Sequence, residues 1–317
     1  GIRDSSTSRG LGDVCKRQAY NEEVMISQTS QTICEILTAG DIEFELLFVN
    51  DGSKDQTWKK ICAEAEKDVR IRGINFSRNF GKESAMFAGL ENATGDCVVV
   101  IDCDLQHPPK KIVEMYRLWE QGYEIVEGVK KSRGNESGVH SLAAKCFYGL
   151  ISNATGIDMS HSSDFKLLDR KAVNVLINMP EKNAFFRALS SWIGFKSIQI
   201  EYDVQERVAG TSKWSVMSLI KYAFTNITSF TSVPMYAVTL LGGIMLLITV
   251  VLGIFAVYKK IAGMAVEGFT TVIILLCFIG STMMISLGII GYYIAKIYEE
   301  IKGRPRYIIS ETIGHTK

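Results

Sequence analysis

Neither sign of charge is in excess across this sequence: 35 Lys and Arg stand against 34 Asp and Glu, for a net charge of +1. That balance excludes a global basic field for nucleic acid, and it gives no acidic excess of the kind that keeps a chain unfolded. The seven cysteines contain no Cys-x-x-Cys pair and keep no metal-ligand rhythm with the four histidines. Zinc and disulfide frameworks are therefore not expected, and the thiols read as reduced, mostly buried groups of a cytosolic domain. Internal repeats and low-complexity blocks are also missing. The largest absence is of charge itself: Tyr222–Tyr258 and Gly268–Ala295, runs of 37 and 28 residues, contain no charged side chain.

A membrane helix needs about 20 apolar residues to cross the hydrocarbon core. Val233–Tyr258 and Phe269–Ala295 both meet that length. Two buried core helices are the competing reading, but soluble helices this long normally carry a polar face. Both segments lie far from the N-terminus, so neither is a signal peptide. The intervening Lys259–Glu267 is too short for a domain, so the spans form a hairpin with both ends on one side. Lys213 and Lys221 before it, and Lys296, Lys302, Arg304, Arg306 and Lys317 after it, outnumber Lys259 and Lys260 in the loop. This places the N-terminal domain and the tail in the cytoplasm.

Upstream, short apolar runs alternate with helical patterns. Phe44–Val49, Ile71–Phe76, Cys97–Ile101, Ile125–Glu127 and Ile198–Val204 read as strands. Gln56–Lys67, Lys82–Asn92, Pro109–Glu120, Ser141–Asn153 and Arg170–Asn178 read as helices. The alternation predicts an α/β domain, a mostly parallel sheet with helices on both faces. Ligands of such sheets gather beyond the carboxyl ends of the strands, and two polar clusters fall there. Asn50-Asp51-Gly52-Ser53-Lys54-Asp55 follows one strand, and Asp102-Cys103-Asp104-Leu105-Gln106-His107-Pro108-Pro109 follows another.

Asp102 and Asp104, two apart on extended backbone, can face one cation, and Mg²⁺ typically takes one or two carboxylates plus substrate phosphates. A solvated turn with Asp104 capping the next helix is the competing reading. Asn50 and Asp51 can present polar groups to a base or ribose, against an ordinary turn N-capped by Ser53 or Asp55. Four more pieces are ordinary loops when taken singly: Ala19-Tyr20-Asn21-Glu22-Glu23, Ser77-Arg78-Asn79-Phe80-Gly81-Lys82, Asp164–Arg170, and Glu206-Arg207-Val208-Ala209-Gly210-Thr211-Ser212-Lys213-Trp214.

In this order, the N-D-G-S-x-D, D-x-D-L-Q-x-P-P and E-R-x-x-G-x-S-K-W elements resemble the inverting family 2 glycosyltransferases of GT-A (Rossmann-like) fold. The likeness extends over residues 19–310 and is greatest to the polyprenyl-phosphate transferases, related to dolichol-phosphate mannose synthase and bactoprenol glucosyltransferase. The resemblance implies inverting transfer of one sugar from a nucleotide sugar, UDP-glucose or similar, to undecaprenyl or another polyprenyl phosphate on the cytoplasmic leaflet. It implies that Tyr20, Asn21, Glu22 and Asp51 surround the donor nucleotide. Asp102 and Asp104 would serve Mg²⁺ or Mn²⁺ and the diphosphate, with Asp104 the favoured direct ligand. Asp164 would be the base or the acceptor-positioning carboxylate, and Arg207 with Lys213 would grip acceptor phosphate. A headgroup anchor is the other reading of Arg207. Nucleic acid is not an expected partner, the bilayer is, and a homo-oligomer stays open.

Five segments are expected: 1–18 as a non-native extension, 19–212 as the cytoplasmic catalytic domain, 213–232 as an amphipathic interfacial helix or an extension of the first span, 233–295 as two transmembrane helices (233–258 and 269–295), and 296–317 as a cytoplasmic basic tail. The first expectation arises because GIRDSSTSRGLGDVCKRQ has no run of three apolar residues, where the fold should open on an apolar strand. Two other functions compete. A processive polysaccharide synthase would carry Q-x-x-R-W and more spans, and neither is present. A non-enzymatic membrane scaffold built on a decayed transferase domain is opposed by the intact Asp102, Asp104, Asp164 and Arg207.

Overall fold

Short extended segments, the most apolar of them Phe44–Asn50 and Cys97–Ile101, become the strands of one eight-stranded sheet. A computed structural model describes residues 12–103, 105–131, 163–181, 185–203, 233–263 and 268–314. The strands are β1 (Gly12–Ala19), β2 (Phe44–Asn50), β3 (Ile71–Phe76), β4 (Cys97–Ile101), β5 (Ile125–Lys130), β6 (Lys166–Asp169), β7 (Ser197–Tyr202) and β8 (Ile309–Ile313), in the order β7-β5-β6-β4-β1-β2-β3-β8. Between them lie α1 (Ile26–Ala39), α2 (Thr57–Lys67), α3 (Lys82–Asn92), α4 (Lys110–Glu120), α5 (Arg170–Ile177) and α6 (Phe186–Trp192). Every residue of β4 is buried, as expected of a strand covered on both faces. α1 turns Ile26, Ile33 and Leu37 into the same core as Phe48, Ile101 and Met115.

The sheet is mixed, with parallel pairings in the majority, as expected. The β1–β2, β1–β4, β2–β3 and β5–β7 pairings are parallel, whereas β4–β6, β5–β6 and β3–β8 are antiparallel. Two antiparallel strands escaped the pattern reading for physical reasons. β6 reads Lys-Leu-Leu-Asp, and its charges are buried and satisfied. Lys166 is paired with Glu127 at 3.0 Å, and Asp169 accepts from the Trp119 indole at 2.8 Å. β8 is a short edge strand, largely exposed, and so carries no long apolar run.

The expected boundary at residue 18 falls inside an element. β1 spans Gly12–Ala19 and lies between β2 and β4, with a ladder on each side. A strand flanked by two apolar neighbours can take its hydrogen bonds from both and need not announce itself by hydropathy. The tail expected at 296–317 also departs from a plain basic extension, because β8 completes the sheet. Arg306 stacks on the Phe87 ring at 4.4 Å, and its guanidinium donates to the Met179 carbonyl at 2.9 Å. The expected helices at 141–153 and 213–232 lie outside the described residues.

The chain divides into two units, Gly1–Trp214 with Arg304–Lys317, and Ser215–Gly303. The second contains α7 (Val233–Ile261) and α8 (Phe269–Ile301), 29 and 33 residues long. Both are long and apolar enough to cross a membrane. Leu246, Leu247 and Ile254 on α7, and Met284 and Leu287 on α8, are each more than half exposed.

Removing residues 12–18 takes out a strand with two ladders. The expected outcome is loss of a cooperative thermal transition in the unit that contains the sheet, followed by circular dichroism. A wild-type melting curve would show that the sheet closes without β1.

Candidate active site

The parallel strands β1, β2 and β4 run the same way, so their carboxyl ends share one edge, and the polar clusters gather along it. The loop after β1 is stitched to the loop after β2. The Asn21 amide N–H donates to Ser53 Oγ at 3.0 Å, and the Lys54 N–H donates back to Asn21 Oδ1 at 3.1 Å. The Glu22 N–H donates to Thr57 Oγ1 at 3.0 Å. Tyr20 is exposed at this edge. Asp51 is fully buried, and its two oxygens accept from the N–H groups of Phe80 at 2.6 Å and Gly81 at 3.0 Å. Its carboxylate therefore fixes the loop after β3. Gly52 makes that approach possible: its φ is +63°, and a Cβ there would fall 2.4 Å from the Arg78 carbonyl carbon. Asn50 donates to Asn75 at 2.7 Å and Asn75 to Glu311 of β8 at 3.4 Å, so the C-terminal strand is wired to the same edge.

The ladder between β4 and β6 pairs Val100 with Lys166 in antiparallel register. Asp102 follows β4 and Asp164 precedes β6, and although 61 positions lie between them in the sequence, both carboxylates act on the Tyr202 phenol. Aromatic packing fills the space around them. The His107 ring stacks on Phe165 at 5.0 Å and meets Tyr202 edge-on at 5.6 Å, and its Nδ1 lies 3.9 Å from Asp102 Oδ2. Burial, with the Asp102 and Asp164 carboxylates near, pushes the Tyr202 phenol up to about 12.

Asp164 is 3% exposed and held by two cations. Lys82 Nζ donates to its Oδ2 at 2.6 Å, while Arg187 Nε and Nη2 donate to Oδ1 and Oδ2 at 2.8 and 2.5 Å. The Ser163 N–H just before it donates to Glu127 at 2.8 Å. Glu127 in turn neutralises Lys166, whose ammonium also donates to Ser190 at 2.8 Å. Burial pushes the Lys166 ammonium down and Glu127 opposes that shift. Breaking a buried pair of this kind by removing one partner costs about 3–5 kcal/mol, so the loop carrying Asp164 rests on a rigid base.

The structure thus gathers Tyr20, Asn21, Glu22, Asp51, Asp102 and Asp164 along one strand-end edge. Asp104, Arg207 and Lys213 lie outside the described residues. Lys82, Arg187, His107 and Tyr202 were not singled out as site residues. Lys82 closes the Asn79-Phe80-Gly81-Lys82 run, a signal available in the sequence, whereas Arg187 sits in an apolar stretch that gives none. Among the described residues, no group of three or more His, Cys, Asp or Glu side chains could hold a metal by itself.

A mixed sheet with polar clusters at its strand ends is the arrangement expected of the GT-A fold. The chain belongs to glycosyl transferase family 2, whose model matches residues 18–188. It is 38% identical over 299 residues to an uncharacterized glycosyltransferase of Synechocystis, covering 93% of each chain. It is 35% identical over 292 residues to a prophage bactoprenol glucosyl transferase homolog of Escherichia coli, covering 92% of this chain and 95% of that one. Among solved structures, glucosyl-3-phosphoglycerate synthase of Mycobacterium tuberculosis with Mn²⁺, UDP-glucose and phosphoglyceric acid is 19% identical. It covers 68% of this chain and 77% of that one, with a TM-score of 0.47.

Proposed function

We propose that this glycosyltransferase moves one sugar from a nucleotide donor such as UDP-glucose to undecaprenyl or another polyprenyl phosphate, with inversion, at the cytoplasmic face of a membrane. The observation that carries this reading is the 35% identity to bactoprenol glucosyl transferases over nearly the full chain, together with two apolar helices after the catalytic unit. The architecture supports the hairpin. β8 lies beyond both helices yet pairs with β3, which precedes them. If α7 crosses the bilayer, α8 must bring the chain back.

Chemistry supports the donor side. Asp102 follows β4 with its side chain 28% exposed, and a hard divalent cation takes one or two carboxylates plus substrate phosphates. That fits Asp102 with Asp104 as holders of Mg²⁺ or Mn²⁺. When bound, the ion would supply positive charge where the leaving diphosphate gains negative charge. Tyr20, Asn21 and Glu22 line the nucleotide side, and Asp51 serves it by anchoring the loop after β3. Arg207 and Lys213 are assigned to acceptor phosphate, for which a guanidinium fork is suited. The acceptor is already ionised near neutral pH, so little proton has to be removed. Asp164, gripped by two cations, is better placed to organise than to deprotonate.

Two outcomes are expected. The purified chain should transfer radiolabelled glucose from UDP-glucose to undecaprenyl phosphate. Chelator should abolish the lipid-extractable product and Mg²⁺ or Mn²⁺ restore it, with Asp104→Ala losing at least about a hundredfold. Full transfer in excess chelator would contradict the metal assignment. For orientation, single cysteines introduced into a cysteine-free background should be labelled from outside right-side-out vesicles at Ala262 but not at Ser310. Labelling at Ser310 would overturn the hairpin.

A further inference from the structure

We infer that Glu311 is a positioning residue for the donor edge: its carboxylate sets the hydrogen-bond direction of a polar row, Asn75, Asn50 and Ser53, that ends on the backbone of Asn21. This rests on the reading of that edge as the nucleotide side, and it gives a task to a residue that lies beyond both apolar helices.

The row is a product of register. Ala19, Asn50, Asn75 and Glu311 are successive partners across β1, β2, β3 and β8. Side chains directly opposed on neighbouring strands meet on one face, and here three in succession are polar and joined. Glu311 Oε2 accepts the Trp58 indole N–H at 2.9 Å, and its Oε1 accepts from Asn75 Nδ2 at 3.4 Å. Asn75 Oδ1 accepts from Asn50 Nδ2 at 2.7 Å, and Asn50 Oδ1 accepts from the Ser53 hydroxyl. Ser53 Oγ, which also lies 3.2 Å from the Ala19 carbonyl oxygen, accepts the Asn21 N–H at 3.0 Å.

These bonds have one direction. A carboxylate only accepts, whereas an amide side chain has one accepting and one donating end. Facing Glu311, Asn75 must offer its NH₂ group, which leaves its oxygen for Asn50. Asn50 must then offer its own NH₂ group to Asn75 and its oxygen to Ser53. A turned Asn50 would press an NH₂ group onto the Ser53 oxygen that receives Asn21. Asn50 is 1% exposed, so water does not replace a partner lost in this way. At the far end Asn21 stands at φ +56°, a left-handed conformation that its surroundings have to hold. The contacts with Ser53 and Lys54 hold it.

The test uses the full chain in detergent micelles and starts from Glu311→Gln, an isosteric change at an exposed position. The Trp58 N–H then claims the single side-chain oxygen, the NH₂ end meets Asn75, and the row turns. Hydrogen–deuterium exchange over residues 20–25 and 50–56 should quicken by about threefold or more, and calorimetric titration should show UDP binding about fivefold more weakly. In transfer assays the KM for UDP-glucose should rise by a similar factor, with kcat and the acceptor KM unchanged. Adding Trp58→Phe to Glu311→Gln frees that oxygen to face Asn75 and should restore both exchange and UDP affinity. Tyr307→Phe loosens the tail at Glu91 without touching the row, and should leave both readouts at wild-type values. Wild-type exchange and UDP affinity in Glu311→Gln overturn the inference. So does a loss that Trp58→Phe fails to repair or that Tyr307→Phe reproduces, since Glu311 would then only staple the tail. A wild-type chain that binds no UDP would count against the donor reading, and exchange would still decide the row.

Discussion

A β-ladder has one register, and the pairs from Cys97–Asp169 to Val100–Lys166 bring the end of β4 beside the start of β6. In this chain that constraint brings the segment following β4 and the segment preceding β6 to the same edge of the sheet, and the rest of the site hangs on it. A slip of one residue would turn every side chain of β6 to the other face. Lys166 would then leave Glu127, and Asp164 would leave Lys82 and Arg187. The buried Lys166–Glu127 pair therefore does more to specify the register than to stabilise the fold, because a buried ion pair gains little over apolar packing but is costly to break.

The same economy is visible at the other end of the edge. Asp51 spends both oxygens on backbone N–H groups of the loop after β3, and Asn21 and Ser53 bind the loops after β1 and β2 to each other. Residues of this kind hold a binding edge in shape before a ligand arrives, which is where binding energy is best conserved. The C-terminal strand joins that edge through Glu311 and Asn75. The catalytic unit is thus joined by chain to the apolar hairpin at both ends.

Much of this was legible in the sequence, for identifiable reasons. β2, β3 and β4 are apolar runs with polar turns at their carboxyl ends, so both the strands and the edge carrying Asp51 and Asp102 could be read directly. Asp164 was expected from its motif, but the Lys82 and Arg187 that hold it were not. Arg187 lies in an apolar stretch, and only the tertiary packing of α3, α6 and the segment before β6 gives it meaning. β1 and β6 were missed because hydropathy is a poor guide to a strand whose polar residues are satisfied internally or whose neighbours supply the apolar cover. β8 was missed because an edge strand needs no long apolar run.

The central claim is that Asp102 and Asp164 belong to one site that carries out sugar transfer as a unit. The most direct measurement is kcat/KM for transfer from UDP-glucose to undecaprenyl phosphate in Asp102→Asn, Asp164→Asn and the double variant. Groups that act as a unit are strongly non-additive. The account predicts that the double variant is about as slow as the slower single variant. Losses that multiply would mean that the two carboxylates act independently, and would contradict it.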